Sequence, residues 1–476
     1  MRKSTLTAAL SVLALASGCS MNPKLDIPAP PVAAQFAGAD KAEPESAATI
    51  PWRQMFGDAR LQAIIALALE NNRDLRVTTL NVEAARSQFR MARGAQLPSI
   101  DANGSYTRQR IPLETAGAGL GLPSDGAAPS GIEFGQYSAN VALTAFEIDL
   151  FGRLRSQSEA AFERYLASDE GRRAARIALI GAVVDAYLAE RLAVEQLALT
   201  ERTLIDWRES ARITGLLREA RQASGLEVSQ ADGLVRQAEA DLQARLRAQA
   251  QATNALQLLT GAPLPADLPP PVSLLEQPIL TQLPAGLPSD LLTNRPDIRQ
   301  AERELVAANA DIGAARAAFF PRLSITGLLG VTSLAFDRLF DTDNGNWSFS
   351  PQISQPIFRG GSLQGELRLA EVRKSIAIAQ YEQVIQAAFR EVSDGLAGRA
   401  TYGKQSDAQQ AAADAAARRV ELSNLRYRAG VDSRLELLDA QRSLYSARQT
   451  YLDLRREELS SATGLYRALG GGEGEE

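Results

Sequence analysis

"NRPDIRQAERELVAANADIGAARAAFFPRL", residues 294–323, runs as a helical pattern into Phe319-Phe320-Pro321 and then changes to strand alternation. Residues 72–100, "NRDLRVTTLNVEAARSQFRMARGAQLPSI", follow the same plan. At an offset of 223, Asp74, Arg76, Ala84, Ala85, Ala92, Arg93 and Pro98 fall on Asp297, Arg299, Ala307, Ala308, Ala315, Arg316 and Pro321. At an offset of 209, Glu227, Ala231, Ala238 and Gly261 fall on Glu436, Ala440, Ala447 and Gly470. The chain is therefore a tandem duplication of a unit of about 200 residues. The first copy is about 14 residues longer between these blocks, and a Gly/Pro/Ser-rich loop at 108–135 holds most of the surplus. Its short counterpart is 334–345.

Each copy reads as helix, strand, loop, strand, very long helix, break, long helix. The strands fall near 99–107, 137–148, 322–332 and 347–357, with Ile100, Ala102, Gly104 and Tyr106, and later Leu323, Ile325 and Gly327, on alternate positions. Segments of about 9–11 residues suit tilted strands crossing a bilayer. Taken alone, the four strands also fit hairpins of a soluble domain. No proline interrupts Ser156 to Ala223 or Ser362 to Ala429. At 1.5 Å per residue each run would reach roughly 100 Å, longer than one globular core needs. Leu437, Leu444 and Tyr451 lie seven apart, interleaved with Ala440, Ala447 and Leu454; Val228, Val235, Leu242, Ala231 and Ala238 match them in the first copy. Small Ala at one seam position lets helices approach closely. The predicted class is mainly α with β.

The chain has 476 residues, of which 45% are hydrophobic and 22% charged, so it is built to fold. A formal charge of −5 argues against a nucleic-acid partner. His is absent, which removes Ser-His and Cys-His dyads and His-ligated metals. With no phosphate loop or metal-ligand cluster either, an enzyme is not expected, and neither is a metal or a non-covalent cofactor. Arg2 and Lys3 precede an apolar run from Leu6 to Ala16, too short to span a membrane. Leu15-Ala16-Ser17-Gly18-Cys19 then resembles a bacterial lipobox, with Ala16 where Leu is commoner. Cleavage before Cys19 and acylation of it would anchor the chain to lipid. Ser20, rather than Asp, implies outer-membrane sorting. No later stretch has 18 uninterrupted apolar residues, so membrane entry is expected only as β-strands closed into a barrel.

These signals divide the chain into a signal peptide (1–18), a lipidated Pro-rich tether (19–55), repeat 1 (56–262), a linker (263–290) with eight prolines, repeat 2 (291–470) and a tail (471–476).

The stretches "RPDIRQAE" (295–302), "AARAAFFPRLSI" (314–325), "QPIFRGG" (355–361), "YRAGVDSRLELLDAQR" (427–442) and "LYRALGGG" (465–472) resemble the TolC-like outer membrane factor family. The resemblance is closest to its lipoprotein branch of the OprM and NodT type, and covers nearly everything after the tether. The departures are Val77, where Ala is common, and "RQASGLEV" (221–228), which lacks the YRAG form. The family implies a homotrimer in the outer membrane. Each protomer gives four strands to a twelve-stranded transmembrane β-barrel, continuous with a long periplasmic coiled-coil α-barrel. Its partners would be a periplasmic adaptor, an inner-membrane transporter of the RND type, and outer membrane lipid. The implied function is the passive exit duct of a tripartite efflux pump; a type I protein secretion duct and, in a different class, a lipoprotein coiled-coil scaffold are the alternatives.

The resemblance also implies a gate where the long helices turn back. Leu435 and Asp439 would project into the aperture, Glu436 would lie nearby, and Arg442 would pair across a helix contact. Tyr427, Arg428 and Gly430 would form the tip turn, and Pro98 and Pro321 the helix-to-strand transitions. Without the resemblance, Glu436 and Asp439 read as solvated helix-surface charges rather than as a gate. Leu437 and Leu438 are assigned to the core, and Glu227 is the first-repeat counterpart of Glu436.

Overall fold

The computed structural model describes residues 21–33, 36, 47–112, 131–286 and 290–472. The expected signal peptide, Cys19 and residues 473–476 of the tail lie outside the described residues, as do parts of the tether and of the first-copy loop. The elements run α1 (Ala59–Asn71), α2 (Arg73–Gly94), β1 (Ile100–Pro112), β2 (Gly131–Ile148), α3 (Arg153–Glu219), α4 (Gly225–Thr260), α5 (Pro296–Ala317), β3 (Arg322–Ser333), β4 (Gly345–Ser354), α6 (Ser362–Arg428) and α7 (Arg434–Ala468). The duplication is plain in this order: α2, β1, β2, α3 and α4 recur as α5, β3, β4, α6 and α7. Both long helices, α3 and α6, have 67 residues. No helix among the described residues is long and apolar enough to cross a membrane.

The chain forms two compact units. The first gathers Met1–Ile27, Ala84–Tyr165 and Glu304–Ile378, and contains the strands. They make one antiparallel sheet in the order β1-β2-β3-β4, so the two repeats meet at the β2–β3 ladder. The register sorts the side chains by chemistry. Ile100, Ala102 and Tyr106 pair with Leu143, Val141 and Tyr137. Val141 and Leu143 then pair with Leu329 and Gly327, which face Trp347 and Phe349 on β4. Since successive residues alternate between faces, these all share one face. The other face holds Asp101, Asn103, Ser105 and Thr107, then Ser138 and Asn140, Ser324 and Thr326, and Ser348, Ser350 and Gln352, with Leu328 as an apolar exception beside Ser348. Ser105 and Ser138 share a 2.8 Å hydroxyl–hydroxyl hydrogen bond there, and Asn346 Nδ2 donates to Thr332 Oγ1 at 2.7 Å. One face is thus fit for lipid and the other for water.

The first hairpin is longer than its alternation indicates. The β1–β2 ladder continues through Arg108↔Gly135 and Arg110↔Glu133 to Pro112↔Gly131, into residues expected as loop. Cross-strand pairs explain the extension: the Tyr106 and Tyr137 rings lie 4.5 Å apart, and Arg108 pairs with Glu133 at 3.2 Å. Between Leu143 and Phe146 the β2–β3 register slips, and Ala145 takes φ 47°. Such a bulge increases local twist, which curves a sheet toward closure.

The second unit gathers Pro28–Glu83, Leu166–Arg303 and Ala379–Glu476. Leu61, Ile64, Ile65 and Ala68 recur at helical spacing on α1 and bury completely among Val183, Val184, Tyr187 and Leu188 of α3 and Leu459, Leu465 and Tyr466 of α7. Asp58 caps α1, its Oδ1 accepting from Arg60 N at 2.8 Å. Its Oδ2 accepts from Tyr187 Oη at 2.7 Å and Gln277 Nε2 at 3.0 Å, so the buried carboxylate is fully partnered. Burial and this carboxylate push the Tyr187 phenol far above its ordinary range. The Pro-rich linker is part of this core, since Leu274 and Leu283 are fully buried. The tether is also partly packed: Phe36 and Ala47 are buried, and Phe36 stacks on Phe389 at 5.0 Å. The sequence expects a linker and a tether here; their scattered apolar residues lack periodicity but still find the core.

Each repeat closes on a left-handed glycine. Gly261 (φ 65°) and Gly470 (φ 89°) end α4 and α7 against the backbone of Asn71 and Asn294. A Cβ at Gly470 would lie 2.5 Å from the Asn294 carbonyl oxygen, and one at Gly261 would overlap that of Asn71.

Candidate functional site

The tip where α6 turns into α7 is built by local chemistry. Gly430 takes φ 72°, its N–H donates to Tyr427 O at 3.0 Å, and Val431 N–H donates to Arg426 O at 2.9 Å. This is a Schellman closure of a helix C-terminus. The Arg426 guanidinium grips Asp432 with bonds of 2.7 and 2.8 Å, which holds that carboxyl below its usual range. Ser433 stands at the N-cap of α7 but makes no side-chain cap bond.

Expected gate residues Leu435, Glu436 and Arg442 are exposed, while Leu437 and Leu438 are buried in the seam as anticipated. Asp439 lies between two guanidiniums: Arg419 Nη2 of α6 donates to it at 2.9 Å and Arg442 Nη2 at 2.8 Å. These bonds, Arg419 foremost, lower the Asp439 pKa. Arg419 also lies 3.7 Å from Glu436. Within the protomer the cross-helix contact expected of Arg442 is thus made by Arg419, while Arg442 pairs along its own helix, three residues from Asp439. Arg419 sits 20 residues upstream on the partner helix, where no spacing rule along the sequence reaches.

Sequence reasoning also missed Arg434. Its guanidinium is buried, donates to the carbonyl (2.9 Å) and hydroxyl of Ser210 on α3, and lies 5.0 Å over the Tyr427 ring. Tyr427 is therefore the aromatic floor for this cation. Arg428 is exposed beside a groove of ≈ 390 Å³ lined also by Trp207, Ser210, Gln441 and Tyr445. The first-repeat tip, at α3–α4, closes with the same hydrogen bonds but different chemistry. Ser224 and Glu227 form a capping box, with Glu227 Oε2 accepting from Ser224 N at 2.6 Å and Ser224 Oγ from Glu227 N at 3.2 Å. Glu227 is thereby committed to holding a helix end. Positions corresponding to Asp439 and Arg442 are Gln230 and Gly233, so this ion cluster has no equivalent in the first repeat.

Pro98 and Pro321 lie where they were expected, between α2 and β1 and directly before β3. Phe320, just before Pro321, stacks on Phe151 after β2 at 4.7 Å, so transitions from both repeats meet. Among the described residues no cluster of potential metal ligands occurs.

The profile of the family described as outer membrane efflux protein matches residues 64–262 and again 287–471, one match per repeat. The chain belongs to the outer membrane efflux protein family. Family relatives include the probable efflux pump outer membrane protein TtgC of Pseudomonas putida, 44% identical over 99% of this chain and 96% of the relative. Outer membrane protein OprJ of Pseudomonas aeruginosa is 42% identical over 99% and 97%. Among solved structures, the open state of the Neisseria gonorrhoeae MtrE outer membrane channel superposes with a TM-score of 0.86 at 38% identity, covering 95% of this chain and 98% of that one. Membership fits the sheet's two contrasting faces and the helical hairpins of both repeats.

Proposed function

We propose that the chain is the outer membrane exit duct of a tripartite efflux pump, passing small molecules delivered from the periplasm. The carrying observation is the sheet: four strands with one apolar face, one polar face and two outer edges, on β1 and β4, that pair with nothing among the described residues. In lipid, each unpaired backbone group costs several kcal/mol, on the order of 3 or more. Three copies joined edge to edge would remove the edges and enclose a polar lumen of twelve strands. The efflux names carried by the relatives support this reading over a protein secretion duct. A periplasmic adaptor and an RND-type inner-membrane transporter would complete the assembly, and acyl chains on Cys19 would add an anchor.

The gate is the α6–α7 tip. Threefold symmetry turns Leu435 into an apolar ring and Glu436 and Asp439 into carboxylate rings, which close by dewetting and favour cations. Arg419 and Arg442 both hold Asp439, and the Arg419 bond ties α7 to α6. Purified protein in planar bilayers should conduct, and Asp439→Ala with Arg419→Ala or with Arg442→Ala should raise both conductance and antibiotic leakage. Protein that inserts yet never conducts would end the reading; wild-type conductance in both double variants would end the gate assignment alone.

A further inference from the structure

The first residues after the expected anchor do not trail away from the fold. Asn22 Oδ1 accepts from the buried Ser156 hydroxyl on α3 at 2.8 Å, and Asn22 Nδ2 donates to Glu159 Oε2 at 2.9 Å. One residue on, the Pro23 carbonyl accepts from the buried Asn309 Nδ2 of α5 at 2.9 Å. Leu25 then packs on Leu305, Ala308 and Ala377. Beneath Asn22 lies Gly313, where a Cβ would overlap the Asn22 amide. Ser156 follows β2 closely and Gly313 precedes β3, so this short segment bridges the helix ends that feed the two central strands.

The duplication supplies a control. At the repeat offset of 223, Asn309 and Gly313 correspond to Arg86 and Arg90. The first repeat thus has two long cationic side chains where the second has a small amide and no side chain. One of two equivalent surfaces has been hollowed, and the chain has one N-terminus to fill it.

We propose that residues 22–25 are a strap seated in a dedicated socket of Ser156, Asn309 and Gly313, which fixes the N-terminal attachment point to the foot of the β2–β3 ladder. The strap converts a loose tether into a rigid mount, so that whatever the N-terminus carries is held at one depth relative to the strands. This inference goes beyond the duct reading and does not depend on conduction.

Lys24 makes the proposal testable, because its side chain is 89% exposed while the backbone around it is pinned. Trypsin added to the full-length protein in detergent should cut after Lys24 slowly. Asn22→Gly, which alters only the strap, and Gly313→Val, which alters only the socket, should each speed that cut by about tenfold or more, as expected from losing one or more net hydrogen bonds. Release of the N-terminal fragment is read by mass spectrometry, with cleavage elsewhere in the chain as the folding control. Cleavage after Lys24 that is unchanged in both variants, or already as fast in the wild type as in a free peptide of residues 20–30, overturns the strap. Absence of pores with strap protection intact would count against the duct alone.

Discussion

Asn72 and Arg295 occupy the same place in the two repeats, and each donates to the last-turn carbonyl of the helix that closes its repeat. Asn72 Nδ2 reaches Leu259 O at 2.8 Å, and Arg295 Nη1 reaches Ala468 O at 3.0 Å. Different side chains perform one task, satisfying a carbonyl that the helix itself leaves over. Arg295 does more: it also grips Asp297 at 2.6 and 3.0 Å and Glu391 at 2.8 Å. Arg295→Ala should therefore destabilise by about 2–3 kcal/mol and Asn72→Ala by about 1–2 kcal/mol. Thermal unfolding of the detergent-solubilised protein, compared between the variants, checks the order.

Arg221 stands where the second repeat has Gly430, and it takes φ 60°, a left-handed conformation in a residue with a Cβ. Its Schellman bonds, Arg221 N to Arg218 O at 2.9 Å and Gln222 N to Leu217 O at 2.7 Å, keep it there. Arg221→Gly should stabilise the tip by about 1 kcal/mol, the usual cost of left-handed backbone outside glycine. Slower amide exchange at residues 215–228 would register this; faster exchange would contradict it.

Acid should loosen the ion cluster at Asp439, but only strong acid. The Asp439 pKa is lowered in the folded chain from an ordinary 3.8 by its two arginines. A depressed carboxyl contributes stability above its unfolded pKa and loses it as pH falls through the folded one. Conductance controlled by this group should stay flat from about pH 7 to 5 and rise below about pH 4. Asp439→Asn should abolish the rise. A rise already present near pH 6 would assign the effect to another group.

Neighbouring strand positions should respond oppositely to charge. Leu329→Arg puts a guanidinium on the apolar face and should cost about 2–4 kcal/mol near mid-bilayer. Ser348→Arg, adjacent in the β3–β4 ladder but on the polar face, should cost little. Yields of folded protein in outer membranes, measured side by side, test the assignment of faces.

Much of this was legible in the sequence because it is periodic or repeated. The duplication, the strands around Ile100 and Leu323 and the two proline-free helices follow from spacing, and the turn at Gly430 from the family resemblance. Non-periodic features were not legible. The start of β2 at Gly131 depends on pairs across a hairpin, and its Gly-rich composition reads as loop. Arg434 meets Ser210, and Arg419 meets Asp439, through helix packing that joins residues distant along the chain. The positive φ of Arg221 is hidden because arginine gives no turn signal; only alignment with Gly430 marks the place.

The matched residue counts of α3 and α6 set a rule for remodelling this molecule. A heptad inserted into one helix alone would leave its hairpin two turns longer than its twin, and the rim of any ring they share would no longer be level. Engineers wishing to lengthen the passage must therefore insert in all four long segments at once, and natural length variants should carry paired insertions.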